Sequence, residues 1–220
     1  VLGGDCAQRL VISARMEGGG TALFECAAEQ SGVAARRYTL HDGRGAADFR
    51  FESLRLAAPA LVAGPERANA IIEEALALAT LGLCADSVGA MRRALALTVE
   101  YLRTRKQFGR SLADYQALQH RVVEHFRRWV DARTLMREAA AGWTSASPGE
   151  RAQRIAAAKW MAATAGRAIA LDTLQLHGAI GLQDETAVSH YAKRLTTNDM
   201  LLGDSTQQLA RFIAAGQPAF

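Results

Sequence analysis

The sequence is poor in the residues that mark most specialised folds: of 220 residues only 3 are cysteine and 4 proline, and 6% are aromatic. Cys6, Cys26 and Cys84 are an odd number at spacings that match no zinc or redox pattern. A disulfide scaffold and a thioredoxin-like site are therefore not expected, and a reducing, cytoplasmic compartment is. A large excess of one charge is missing too. The 26 Lys and Arg against 22 Asp and Glu leave +4, too little to demand nucleic acid as a partner. The longest apolar run, about Leu76 to Ala85, falls short of the ~20 residues of a spanning helix and is flanked by Glu73, Glu74 and Asp86, so no membrane segment is expected. The opening Val1-Leu2-Gly3-Gly4 has no initiator Met and no signal-like stretch, and reads as a chain entered in the middle. There is no Walker loop, Gly-x-Ser-x-Gly, Rossmann fingerprint or internal repeat. The histidines do not pair at helical spacing; His120 and His125, five apart, point to different faces, so no metal site is expected.

What is present is apolar material, half of the residues, enough to offset chain entropy and to build one large domain or two small ones. The texture changes near residue 66. Before it, short β-prone runs (Arg9–Ser13, Thr21–Glu25, Arg37–Leu40, Asp48–Glu52) alternate with turn residues such as Gly18-Gly19-Gly20 and His41-Asp42-Gly43. Residues 1–65 are thus expected to form a partial antiparallel β domain. Residues 66–220 are expected to form an antiparallel four-helix bundle, since helix formers recur at helical spacing and long helices are joined by short connections. The four helices expected are Ala68–Arg103, Asp114–Gly142 with Asp114 as N-cap, Ser147–Leu176 with Pro148 at the first position, and one opening near Asp204 or Ser205. In the second, Leu118, Val122, Phe126, Trp129 and Val130 share a stripe.

Three segments carry chemistry-bearing residues. Tyr101–Arg110 ends an apolar helix with four basic residues and Gly109 as a helix stop. Composition reads it as a charge-complemented helix end, while the planar fork of Arg105 also suits paired phosphate oxygens. Leu174–Gly181 places glycines where a backbone must turn or approach something closely; a helix stop accounts for Gly178 better than for Gln175 or Gly181. In Leu202–Gln208, Asp204 beside Gly203 reads locally as an N-cap.

In this order and spacing the segments resemble the acyl-CoA dehydrogenase family. The resemblance rests on Tyr-x-x-x-Arg-x-Gln-Phe-Gly (Tyr101 to Gly109), a helix opening near Asp114-Tyr115-Gln116, Gln-x-His-Gly-x-x-Gly (Gln175 to Gly181), and Asp204-Ser205-Thr206 in place of Glu-Gly-Thr. The β segment is similar to the second half of the family's middle domain, so the likeness covers essentially the whole chain. It implies an FAD enzyme that oxidises an acyl-CoA thioester to the trans-2-enoyl-CoA and passes electrons to an electron-transfer flavoprotein. By position, Asp204 is the base for the α proton. Arg105, Gln107, Phe108, Gln175, Gly178 and Ala179 correspond to contacts with the FAD of a neighbouring subunit, and Thr206 and Gln208 to flavin contacts after the carboxylate. A homo- or hetero-oligomer packed through the bundle is implied as well. The Ala187–Arg194 run and Gly203-Asp204 resemble a bacterial branch with heteromeric members acting on bulky or dicarboxylic acyl-CoAs, including steroid side chains. The chain departs from the pattern at Asp204, one methylene shorter than Glu, and at Leu195-Thr196, where the family has Arg-Asp. Leu78-Ala79-Thr80, which matches the alternative site for the base, holds no carboxylate. The competing expectation is a catalytically silent partner subunit. Nucleic-acid binding through Arg103–Arg110 and Arg127-Arg128 lacks a groove-reading motif.

Overall fold

The computed structural model describes residues 1–215. It falls into two compact units, Val1–Leu76 and the part from Ala77 onward. The first unit holds β1 (Arg9–Arg15), β2 (Thr21–Ala27), β3 (Val33–Thr39), β4 (Gly45–Phe51) and β5 (Leu61–Ala63). β1 and β5 flank β2, both antiparallel to it, with Leu10 opposite Cys26 and Ile12 opposite Phe24. β3 and β4 form a separate antiparallel pair, with Arg36 opposite Asp48. The β1–β2 connection turns through Gly19 and Gly20 at φ 90° and 80°, backbone that glycine adopts at little cost. Leu10, Cys26 and Ala28 are buried against Ile12, Val33 and Phe49. The first turns of α1 (Ala68–Thr104) belong to this unit too, where Ala68, Ile71 and Ile72 pack with Leu23 and Ala63. The antiparallel β segment is as expected, and β5 is additional.

The second unit contains the rest of α1, a short hairpin of β6 (Lys106–Gln107) and β7 (Arg110–Ser111), then α2 (Gln116–Ala141), α3 (Pro148–His177), α4 (Ala187–Met200) and α5 (Ser205–Ala215). Any continuation of α5 expected beyond Ala215 lies outside the described residues. Leu81 near the start of α1 meets Ala139 near the end of α2, whereas Ala158 and Ala162, early in α3, join the same cluster. Arg194 and Asn198 of α4 reach back to Asp86 of α1. The directions are therefore up, down, up and down for α1 to α4. The central core is Val88, Met91 and Leu95 of α1, Trp129 of α2, Ile169 of α3 and Leu195 of α4.

The expected bundle is present, but its fourth member is α4, and the last helix, α5, is a fifth that packs on α3. α4 escaped the periodicity because its buried face includes Ser189 and Asn198, which supply no apolar signal. Asp114 is not the cap of α2. It lies in a short 3-10 turn, Leu112–Asp114, whose opening is capped by Ser111 Oγ accepting from Ala113 N at 3.2 Å. The α2 stripe is also rotated from the expected one, since Phe126 is 56% exposed while His125, Trp129, Ala132 and Ala139 are buried. α3 opens as read: Ser147 and Glu150 form a reciprocal capping box with Pro148 at the first position. By length and composition alone α1 could cross a membrane, which counting consecutive apolar residues did not register, and the core helix of a soluble protein meets the same test.

Candidate active site

The end of α1 is built differently from the expected helix stop at Gly109. The helix ends at Thr104, whose Oγ1 donates back to Glu100 O at 3.0 Å, and the chain enters the β6–β7 hairpin. Phe108 and Gly109 form its turn with φ of 54° and 82°; positive φ at both turn residues matches the strand twist. Phe108 stands 90% exposed at the tip. The Arg110 guanidinium lies 3.9 Å from the Tyr115 ring centroid, and Leu112 N donates to Arg105 O at 2.9 Å, so the hairpin is anchored at its base. Gln107 spends its amide on Lys106 O. The Arg105 side chain is exposed and makes no ion pair among the described residues.

The end of α3 comes to the same place. Tyr101 stacks on His177 at 4.4 Å between ring centroids and donates its hydroxyl to His177 O at 3.2 Å. Arg105, one turn beyond Tyr101, and the segment Gln175–Ala179 therefore share one end of the bundle. Gly178 has φ 65° and ψ −148°, a conformation that side chains resist. Gly181 has a packing reason that the sequence did not reveal: a Cβ there would sit 2.8 Å from Leu174 O. Gln175, Gly178 and Ala179 are exposed.

Asp204 lies elsewhere. It precedes α5 and caps it, with Oδ1 accepting from Gln207 N at 2.8 Å, while Oδ2 makes no hydrogen bond among the described residues. The carboxylate is thus held by one oxygen and open at the other. Thr206, like Asp204, is exposed. Gln208, expected among the flavin contacts, is 2% exposed and donates its amide to Leu202 O at 2.8 Å, so that donor is spent inside the protein. The exposed, uncommitted donors of Arg105, Gln175 and Thr206 are of the kind that can meet the phosphates and polar groups of FAD.

Sequence reading missed a polar cluster between α2 and α3. Asp172 binds the Arg121 guanidinium through both oxygens and accepts from, or pairs with, His125 Nε2 at 2.6 Å. Burial pushes the Asp172 pKa up, but the Arg121 and His125 contacts together outweigh it and hold the carboxyl below its ordinary value. With Leu171 and Gln175 these three line an open groove of about 660 Å³. Arg127 pairs with Glu124 and Asp131, and Arg128 with Glu124, so this basic pair is largely neutralised on its own helix.

Fold and site together describe a helical-bundle domain with exposed cationic and amide donors at one end and a held carboxylate on the turn before its last helix. The family model for the acyl-CoA dehydrogenase C-terminal domain matches residues 69–216, and the chain belongs to that family. Among its relatives, acyl-CoA dehydrogenase IpdE2 of Mycolicibacterium smegmatis is 34% identical over 136 residues, 62% of this chain and 42% of the relative. Acyl-CoA dehydrogenase FadE27 of Mycobacterium tuberculosis is 30% identical over 142 residues, covering 61% and 38% respectively. The chain thus spans about two fifths of the length of these relatives. The structure superposes on a chain of the ChsE4–ChsE5 complex of Mycobacterium tuberculosis with a TM-score of 0.86 at 27% identity, over 98% of this chain and 58% of that one.

Proposed function

We propose that the chain forms part of an acyl-CoA dehydrogenase that converts an acyl-CoA thioester to the trans-2-enoyl-CoA with Asp204 as the α-proton base. Family membership supports the reaction class, and the observation that carries the assignment of the base is the state of Asp204: Oδ1 anchored to Gln207 N and Oδ2 left open. A cap and a base are compatible in one carboxylate, because the cap bond fixes its direction while the second oxygen takes the proton. FAD, when bound, supplies the two-electron acceptor for the β hydrogen. The backbone N–H of residue 204 is proposed to stabilise charge on the thioester oxygen as the α proton leaves. Arg105 is proposed to hold pyrophosphate, with Gln107, Phe108, Gln175, Gly178 and Ala179 around it, and Thr206 to lie beside the ring system, with Gln208 in support. For Gln208 the buried amide supports a role behind the turn rather than a direct contact.

Electron-transfer flavoprotein is the proposed acceptor, the cytoplasm the proposed location, and a homo- or hetero-oligomer the proposed assembly. The second reading, a catalytically silent partner subunit, is favoured by the match to a chain of a complex of two differently named proteins and by the shortened carboxylate. The test uses the full-length, FAD-loaded protein with its natural partner, mixed anaerobically with a panel of acyl-CoAs while flavin absorbance is followed. Asp204→Asn keeps the shape and much of the capping ability. It is expected to retain FAD yet lose flavin reduction by about 10²-fold or more. Reduction at the wild-type rate puts the base elsewhere and brings the silent-subunit reading forward.

A further inference from the structure

We infer that Lys159 is a positioning residue for Asp204: its amine ties off the end of α4 and thereby fixes the turn that carries the carboxylate. The inference rests on the proposed reading of Asp204 as the base. Lys159 sits in an Ala-rich stretch of α3 and is 2% exposed, an unusual place for an amine. It is there with partners, donating to Asn198 O at 2.8 Å and Asp199 O at 3.0 Å. Both are carbonyls of the last turn of α4, which have no acceptor role within the helix and lie at its negative end.

From that tie the chain has few residues in which to reach α5. It turns through Leu202 at φ 58° and Gly203 at φ 92°, and a leucine in that region persists only where its surroundings hold it. Three further bonds do so. Gln208 Nε2 donates to Leu202 O at 2.8 Å, Ser205 N donates to Asp199 Oδ1 at 3.2 Å, and Gln207 N donates to Asp204 Oδ1 at 2.8 Å. At Gly203 the φ of 92° strains any side chain, and a Cβ there would also push on the Gln207 and Gln208 side-chain ends, the latter buried and bonded to Leu202 O. The turn is therefore fixed at its α4 end by Lys159 and across to α5 by Asp199 and Gln208. The groups acting on the amine agree with this geometry: burial lowers the Lys159 pKa, while Cys84 of α1, Asp199 and Asp204 act to raise it. A displacement of about 1 Å in a reacting group can cost on the order of a hundredfold in rate, so a residue that fixes this turn controls the base without touching the substrate.

The experiment uses the full-length, FAD-loaded protein with Lys159→Met and, as a second variant less exposed to folding failure, Asp199→Ala. Hydrogen exchange over residues 201–208 is expected to rise at least tenfold in both variants, with exchange over α2 and flavin content unchanged. Unchanged exchange across the turn in both variants overturns the inference, and this readout needs no substrate. Flavin reduction by octanoyl-CoA is then compared for Lys159→Met, Asp204→Asn and the double variant. A loss of at least tenfold for Lys159→Met that disappears in the Asp204→Asn background supports action through Asp204. An equal further loss in that background overturns it. If Asp204→Asn alone reduces at the wild-type rate, the base reading fails by itself, and the exchange measurement still decides whether Lys159 holds the turn.

Discussion

Replacing Asp172 with Asn removes one charge from the interface of α2 and α3 while preserving volume, so the outcome measures the polar cluster rather than a cavity. The Asp172 side chain is 17% exposed, His125 is 10% exposed and Arg121 is 41% exposed. A hydrogen bond to a charged group contributes about 1.5 to 3 kcal/mol. The His125 contact is sheltered enough to count near the lower bound, whereas the Arg121 pair is solvent-screened and counts for less than about 1 kcal/mol. The expected loss is therefore about 2 kcal/mol at neutral pH. Because the folded Asp172 pKa lies below its ordinary value of 3.8, the stabilisation is fully present above that value and is lost as pH falls through the lower, folded one. Wild type and Asp172→Asn should therefore differ in urea midpoint at pH 7 and at pH 5, and converge only once the pH has fallen below the folded pKa, itself under 3.8. Equal midpoints at pH 7, or a gap that persists unchanged in acid, would refute the reasoning.

Two further outcomes follow from burial. Ile169 is fully buried among Met91, Trp129 and Leu195, so Ile169→Ala should cost about 3 kcal/mol and Ile169→Val about 1 kcal/mol, read by denaturant unfolding; a cost below about 1 kcal/mol for the alanine would contradict that packing. Of the three thiols, Cys6 is exposed, whereas burial raises the Cys26 pKa and pushes that of Cys84 up to about 12. Iodoacetamide at pH 8 should label Cys6 in the native protein and reach Cys26 and Cys84 only on unfolding, and early labelling of Cys84, detected by peptide mass, would overturn its placement in the cluster of Leu81, Ala139 and Ala158.

The helices were legible where apolar residues repeat and where caps are spelled out, as in Ser147-Pro148-Gly149-Glu150. They were not legible where the buried face is polar. Ser189 bonds locally to Thr186 O and Asn198 reaches Asp86 on α1, so both are buried with partners though neither is apolar, and period alone passes over the helix. His125 and Phe126 show the same limit in the other direction. The aromatic scores as core and the histidine as surface, yet Asp172 makes the histidine the residue that can be buried. The motif residues were legible only through a family resemblance. Nothing local distinguishes Asp204 from an ordinary cap, and in the structure it is one. Lys159 left a signal that went unread, a lone amine in the run Ile155-Ala-Ala-Ala-Lys159-Trp-Met-Ala-Ala163.

The direction of α3 has a further consequence for how the proposed site is shared. Lys159, beneath the Asp204 turn, and Gln175, at the Arg105 end, lie on the same helix, about 24 Å apart at about 1.5 Å per residue. A residue that reaches the reacting carbon and residues that hold a pyrophosphate cannot all surround one small point at that separation. On the proposed assignment, the two ends serve either distant parts of one extended cofactor or two cofactors in different subunits. The second arrangement would also give the Phe108 ring, 90% exposed at the tip of the Arg105 hairpin, a neighbour to pack against. If the two ends serve two cofactors in different subunits, a monomer leaves both incomplete, and the silent-subunit reading differs from the active one only at the Asp204 end. Under that proposal, a partner needing no base from this chain would still use Arg105 and Gln175.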